Sequence, residues 1–269
     1  PDASWSAEIR PGLYAGDRTT PIPSVACYIP RGKGAFPSSV MMTCIPASVA
    51  GVEDICIVTP PGPDGKIDAA SLVAAQAAGV SKVYKAGGAQ AIAAVAHGTA
   101  TISKYAKVVG PGSPWVVAAK RLLSGLIDTG TPAGPSESII FADGTTDGRL
   151  AALDLLIEAE HGADSSCFIV TTSKDVADAA LKAIPDYWKR MGEQRAGFTK
   201  SVLGSSRGGI LLARDTAEAM GFINDYAPEH LQILSKEPRE YLDLVKNAGE
   251  ILLGEHTPST LGNFVLGPS

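Results

Sequence analysis

Two kinds of apolar run alternate along this chain. Short stretches rich in Val, Ile and Leu are separated by longer Ala-rich stretches whose apolar positions recur at helical spacing. A first series predicts strands at 25–29, 55–58, 82–84 and 107–109, with helices at 36–50, 67–79, 89–97 and 114–124. A second predicts strands at 138–141, 167–170, 209–212, 231–234 and 251–253, with helices beginning near 148, 174, 216 and 238. Strand and helix in strict alternation predict parallel sheets joined by crossover helices, hence an α/β fold of two units. The join is expected in Thr129-Gly130-Thr131-Pro132-Ala133-Gly134-Pro135-Ser136, whose glycines and prolines break both kinds of element.

Composition narrows the class without naming a chemistry. A chain of 269 residues buries a large core. A formal net charge of −5 and the absence of any Lys/Arg run argue against a nucleic-acid partner. Cys27, Cys44, Cys56 and Cys167 lie in apolar contexts without a Cys-x-x-Cys pair, so they read as buried thiols of a reducing compartment, and a cytoplasmic location is expected. No apolar run reaches membrane-spanning length, and Pro1-Asp2-Ala3-Ser4-Trp5 lacks the basic and apolar regions of a signal peptide, so no membrane partner is expected.

Two acid and histidine clusters carry the candidate chemistry: Ile157-Glu158-Ala159-Glu160-His161-Gly162 and Tyr226-Ala227-Pro228-Glu229-His230-Leu231. Three residues apart on a helix, Glu158 and His161 would project from one face, where a carboxylate and an imidazole can reach one metal ion. Glu229 and His230 follow a proline where a helix gives way to a strand, a position suited to acid/base groups. Glycine-rich turns at Gly32 to Gly34, Gly87-Gly88 and Gly110-Pro111-Gly112 follow strands of the first series and suit phosphate binding by backbone N–H groups. None is a Gly-x-Gly-x-x-Gly, so a dinucleotide would bind in an atypical way.

The chain resembles the histidinol dehydrogenase family through Tyr28-Ile29-Pro30-Arg31-Gly32, Gly87-Gly88-Ala89-Gln90-Ala91-Ile92-Ala93-Ala94, Gly110-Pro111-Gly112, Ala133-Gly134-Pro135-Ser136-Glu137, Glu160-His161-Gly162-Ala163-Asp164-Ser165, Ala227-Pro228-Glu229-His230-Leu231 and Gly262-Asn263-Phe264-Val265-Leu266-Gly267-Pro268. The resemblance implies two incomplete Rossmann-like domains, one inserted in the other: 27–135 as the inserted NAD-binding domain, 1–26 with 136–269 as the domain carrying metal and acid/base residues. It implies a homodimer that uses zinc and NAD to oxidise a small polar alcohol through an aldehyde to a carboxylate. L-histidinol is the leading substrate, and a paralogue acting on another small polar alcohol, such as a sulfonated diol, is the alternative. A non-catalytic metabolite-binding protein is the alternative outside the enzyme class.

Carried over by position, the resemblance makes Glu229 the base that activates water, His230 the base that takes the alcohol proton, and Ser136, with His230, a substrate contact. It gives NAD contacts at Tyr28, Gln90 and Ser113, the last replacing the family's asparagine. Zinc ligands fall on Glu158, His161 and Asn263, with a further histidine from the partner's C-terminal tail. That tail and the family's N-terminal arm lie outside this chain. Two ligand positions depart from the family: Glu158 stands for a glutamine and Asn263 for an aspartate, so the carboxylate has changed places while ligand charge is conserved. His256, close to Asn263 in sequence, is a candidate substitute ligand, and His97 has no motif role.

Overall fold

The computed structural model describes residues 4–32, 34–131 and 133–265, the last three as backbone only. Contacts divide the chain into Pro1–Ala133 and Gly134–Ser269. No described helix is long and apolar enough to cross a membrane.

The first unit opens with an antiparallel hairpin, β1 (Trp5–Arg10) and β2 (Leu13–Asp17), that turns at Gly12 with φ +76°. There follow β3 (Ser24–Tyr28), α1 (Pro37–Val49), β4 (Asp54–Val58), α2 (Ala69–Ala77), β5 (Lys82–Tyr84), α3 (Gly88–His97), β6 (Lys107–Val109) and α4 (Pro114–Leu123). The four strands from β3 to β6 form a parallel sheet in the order β5-β4-β3-β6. From β3 the chain winds outward to β5, then crosses to the other side of β3, so the winding reverses between β3 and β6. Side chains alternate between faces: Ala26, Tyr28, Cys56 and Val58 pack with α3 and α4, whereas Val25, Cys27, Ile29 and Ile57 pack with α1 and α2. Burial on both faces explains why these strands read as continuous apolar runs.

The second unit contains β7 (Glu137–Ala142), α5 (Gly148–Ala159), β8 (Ser166–Thr171), α6 (Lys174–Trp188), α7 (Glu193–Leu203), β9 (Gly208–Leu212), α8 (Thr216–Tyr226), β10 (His230–Leu234), α9 (Arg239–Leu242), β11 (Glu250–Leu253) and α10 (Ser259–Val265). Its parallel sheet runs β11-β10-β7-β8-β9 and reverses between β7 and β10. Ile140, Cys167, Ile169 and Leu234 face α5 and α6, while Ile139, Phe141, Val170, Leu231 and Ile233 face α8. Fully burying each such Leu, Ile or Phe is worth about 1.5–3 kcal/mol, which fixes the register of the strands that also carry the site. α5 can approach α6 because Gly148 opens it: a Cβ there would overlap the Val176 carbonyl.

The α/β class and the parallel sheets match the sequence reading. Three elements do not follow from it. The β1–β2 hairpin is exposed throughout and so lacks a one-sided apolar pattern. α7 buries only Ala196, Thr199 and Val202, and α10 is seven residues long. By contacts the division falls at 133/134, and Val25 and Ala26 are central residues of β3 in the first unit.

Candidate functional site

α8 ends in a backbone reversal that aims the second cluster. Ala227, with φ +54°, caps the helix in the left-handed region and its N–H donates to the Ile223 carbonyl at 2.9 Å. Pro228 then directs the chain into β10. Two amides of the next strand hold this start, Gly249 N–H donating to Pro228 O at 3.0 Å and Glu250 N–H to Glu229 O at 2.8 Å. A Cβ at Gly249 would come within 2.9 Å of the Glu229 carbonyl, so the close approach needs glycine.

His230 is thereby set directly opposite Ser138 on one side and Glu250 on the other. Its Nδ1 lies 2.6 Å from Glu250 Oε2, and its Nε2 lies 3.7 Å from Glu229 Oε2. The Glu250 and His230 side chains are 7% and 12% exposed, while that of Glu229 is 37% exposed. A buried imidazole thus sits between a buried and a half-open carboxylate.

The first cluster reaches the same edge of the sheet. His230 and Gln232 point to one face of β10, because Leu231 and Ile233 point to the other. α5 covers that face and runs antiparallel to the strands, so its last turn, with Glu158, ends at their amino edge. Glu158 is buried and accepts a short hydrogen bond from Ser259 Oγ at the start of α10. One turn later in α10, a Cβ at Gly262 would overlap the Glu250 carboxylate. Ser259 therefore touches Glu158 of the first cluster, and Gly262 lies against Glu250, the carboxylate beside His230 of the second. Asn263 follows Gly262 in α10; its side chain lies outside the described residues.

His161 is not on the helix as the spacing suggested. α5 ends at Ala159, and His161 occupies the turn beyond its cap, with N–H to Glu158 O at 3.2 Å and Nδ1 3.1 Å from the same carbonyl. The pair still converges: Nδ1 is 3.6 Å from Glu158 Oε2. Ligand bonds of about 2.0–2.1 Å set tetrahedral donors roughly 3.3 Å apart, so this carboxylate and imidazole suit one zinc ion. Among the described residues no group of three or more His, Cys, Asp or Glu converges as a metal cluster, so the described donors form an open set of two. His256 is exposed in the loop before α10, and His97 is exposed at the end of α3.

Two buried polar residues, Asp154 and Gln232, lie behind Glu158. One turn back on α5, burial pushes the Asp154 carboxyl up to about 6, the Gln232 amide pulling it down and the Glu158 charge adding to the rise. Gln232 Nε2 donates to Thr257 O at 3.0 Å, and its Oε1 is buried without a hydrogen-bond partner. Asp154 was legible as an acid on an apolar helix; Glu250 and Ser259 were not, because strand register and helix docking brought them in.

The remaining candidates, Ser136 apart, lie near the carboxyl ends of strands in the first unit. Tyr28 ends β3 and is buried, its hydroxyl accepting from Gly88 N–H at 3.0 Å. Gln90 is exposed on the first turn of α3 and folds back toward Gly88. Gly110, with φ +104°, follows β6 where any Cβ would overlap the Tyr28 carbonyl. Ser113 precedes α4, exposed, and its side chain makes no capping bond. Lys120 is buried, donates to Gly110 O at 2.6 Å, and is held below its ordinary pKa by desolvation. Ser136, half-buried, precedes β7 and accepts from Ser166 N–H at 2.9 Å.

Comparison with known proteins gives the fold and the site a common context. A family model described as histidinol dehydrogenase matches residues 1–269. A Mesorhizobium japonicum protein named histidinol dehydrogenase homolog 2 is 64% identical over the whole chain, which spans 61% of that relative. The histidinol dehydrogenase of a Synechocystis species is 54% identical over 97% of the chain, which spans 60% of it. The crystal structure of histidinol dehydrogenase from Elizabethkingia anophelis superposes with TM-score 0.90 at 33% identity, covering 99% of this chain and 61% of that one. The chain thus spans about three-fifths of the length of these relatives.

Proposed function

Because the chain belongs to the histidinol dehydrogenase family, we propose that it forms the core of an NAD-linked, zinc-dependent enzyme that oxidises a small polar alcohol, with L-histidinol as leading substrate, through an aldehyde to a carboxylate. The observation that carries this reading is the placing of α10, which touches Glu158 through Ser259 and lies against Glu250, the partner of His230, through Gly262. Glu158, His161 and Asn263 would hold the zinc ion. When bound, zinc lowers the pKa of a coordinated alcohol and orients its carbon. NAD would lie along the carboxyl edge of the first unit, near Tyr28, Gln90 and Ser113, with its phosphates toward the open helix starts.

The chain's own residues then divide the work. His230 Nε2 takes the hydroxyl proton as hydride leaves the carbon, a task suited to an imidazole, which can both accept and release a proton. Glu229, more exposed than His230, activates water to attack the aldehyde, and a second hydride transfer yields the acid. Ser136 contacts the substrate. Water is the apt nucleophile here, because Cys27, Cys44, Cys56 and Cys167 are all buried, burial pushing Cys56 up to about 12. The assembly is a homodimer acting in the cytoplasm, its partner supplying the remaining zinc ligand.

A second reading keeps the chemistry and changes the substrate to another polar alcohol, such as a sulfonated diol. Supporting it are the exchanged carboxylate at Glu158 and Asn263 and the greater identity to a relative named a homolog than to one named histidinol dehydrogenase. Elemental analysis, with NADH formation from alcohol and from aldehyde in the full-length protein, tests both readings. We expect one zinc per subunit. His230→Asn should slow alcohol oxidation by about 10²–10⁴-fold, whereas Glu229→Gln should spare it and impair aldehyde oxidation. Equal losses on both substrates would refute the division of labour, and a full-length protein that binds neither zinc nor NAD would refute the function.

A further inference from the structure

Resting on that reading, we propose that Glu250 is a positioning residue for His230: it accepts the Nδ1–H, fixes the imidazole in the tautomer whose Nε2 lone pair faces the substrate side, and stabilises the imidazolium formed on proton transfer. No motif in the chain points to Glu250. Its place follows from geometry: β11 lies parallel to β10 with Glu250 directly opposite His230, and the carboxylate comes to 2.6 Å from Nδ1. Both side chains are largely withdrawn from water, so the contact is not a screened surface pair.

Two features hold the carboxylate there, and a third flanks the ring. Glu250 N–H donates to Glu229 O at 2.8 Å, so the backbone that carries the acid also fixes the neighbouring base. Gly262 supplies no Cβ where one would overlap the carboxylate. Ser138, the register partner of His230 on β7, is buried on the opposite flank and completes the row of strand starts. Among the described residues the other ring nitrogen has Glu229 as its ion-pair partner, at 3.7 Å and beyond hydrogen-bond length, which suits Nε2 to the reacting hydroxyl.

The proton balance is complete. The hydroxyl proton passes to Nε2 while the carbon's hydride passes to the oxidised nicotinamide, and the resulting imidazolium keeps its Nδ1–H on the Glu250 carboxylate. In free imidazole side chains nothing enforces this tautomer, and which nitrogen carries the proton is set by the bond the other makes. A base held in the wrong tautomer presents N–H where a lone pair is needed, a fault that costs a triad enzyme about 10⁴-fold.

The test uses the full-length enzyme with zinc bound and histidine labelled with ¹⁵N, the His230 signals assigned by loss in His230→Asn. At a pH where the ring is neutral, wild type should show Nδ1 protonated and Nε2 unprotonated. Glu250→Gln retains an acceptor and should keep that tautomer while lowering kcat for the alcohol step with KM little changed. Glu250→Ala should shift the ring toward Nε2–H and lower kcat by on the order of 10²–10⁴-fold. An Nε2–H ring in wild type, or an unchanged tautomer in Glu250→Ala, would overturn the assignment. Should Glu250→Ala fail to fold, the wild-type tautomer and an unchanged kcat in Glu250→Gln each remain able to overturn it. Correct tautomers in a protein without NAD-linked turnover would refute the proposed function and leave the Glu250 contact standing.

Discussion

The two units are built on one winding scheme, yet their candidate groups lie at opposite ends of their strands. In the first unit they follow the strands: Tyr28 at the end of β3, Gly87 and Gly88 after β5, Gly110 to Ser113 after β6. In the second they precede them: Ser136 before β7, His230 at the start of β10, Glu250 at the start of β11. The carboxyl edge offers helix N-termini, whose open N–H groups and positive dipole end favour an anion. The amino edge offers the end of α5, whose carbonyls favour a cation beside Glu158 and His161. The charges agree: the first unit buries an ammonium, Lys120, and the second buries carboxylates, Asp154 and Glu158. One scaffold would thus serve the proposed cofactor phosphates or the proposed cation according to the edge that is used.

The largest effect expected to test this contrast concerns Asp154. With its pKa raised from 3.8 to about 6, the folded state keeps a proton that the unfolded chain sheds. Stability from this residue is therefore full below pH ~4 and is lost as pH rises to ~6, by about 3 kcal/mol for a shift of two units. Denaturant unfolding of metal-free protein at pH 4 and pH 7 should show Asp154→Asn gaining that amount on wild type between the two. Parallel pH profiles would show that the amino edge carries no excess of buried acid.

Gly110→Ala addresses the other edge. Left-handed backbone and the lost clearance to Tyr28 O should cost about 1–3 kcal/mol and weaken NAD binding, while zinc content stays unchanged. Loss of zinc in this variant would mean that the two receptors are not separable. The smallest effect is expected at Ser113, whose hydroxyl caps nothing. Ser113→Ala should change stability by less than about 0.5 kcal/mol and raise the KM for NAD less than about threefold; a larger rise would assign the hydroxyl a direct cofactor contact.

Legibility in the sequence followed the range of the interactions. The sheets were readable because strands buried on both faces, such as 25–29 and 138–141, leave unbroken apolar runs between amphipathic helices. The acid and histidine pairs were readable because their members are neighbours in sequence. What was not readable depends on register and docking: Glu250 is an ordinary acid until β11 aligns it with His230, and Ser259 is an ordinary serine until α10 meets α5. The position of His161 past the end of α5 was lost for a subtler reason, since helical spacing continues through a capping turn without a helix.

The contact between Ser259 and Glu158 spans 101 residues of chain, and this gives the site a history as well as a geometry. At a synthesis rate of about 5–20 residues per second, roughly five to twenty seconds separate the making of Glu158 from that of its hydroxyl partner. During that interval the nascent domain must leave α5's last turn open to water, because a carboxylate without its donor is costly to bury. The end of the helix that carries the proposed zinc ligands is then still accessible from outside, and arrival of α10 closes it. On the proposed reading, an ion that enters before that closure would meet the least obstruction, so the order of translation would bear on how the site is filled.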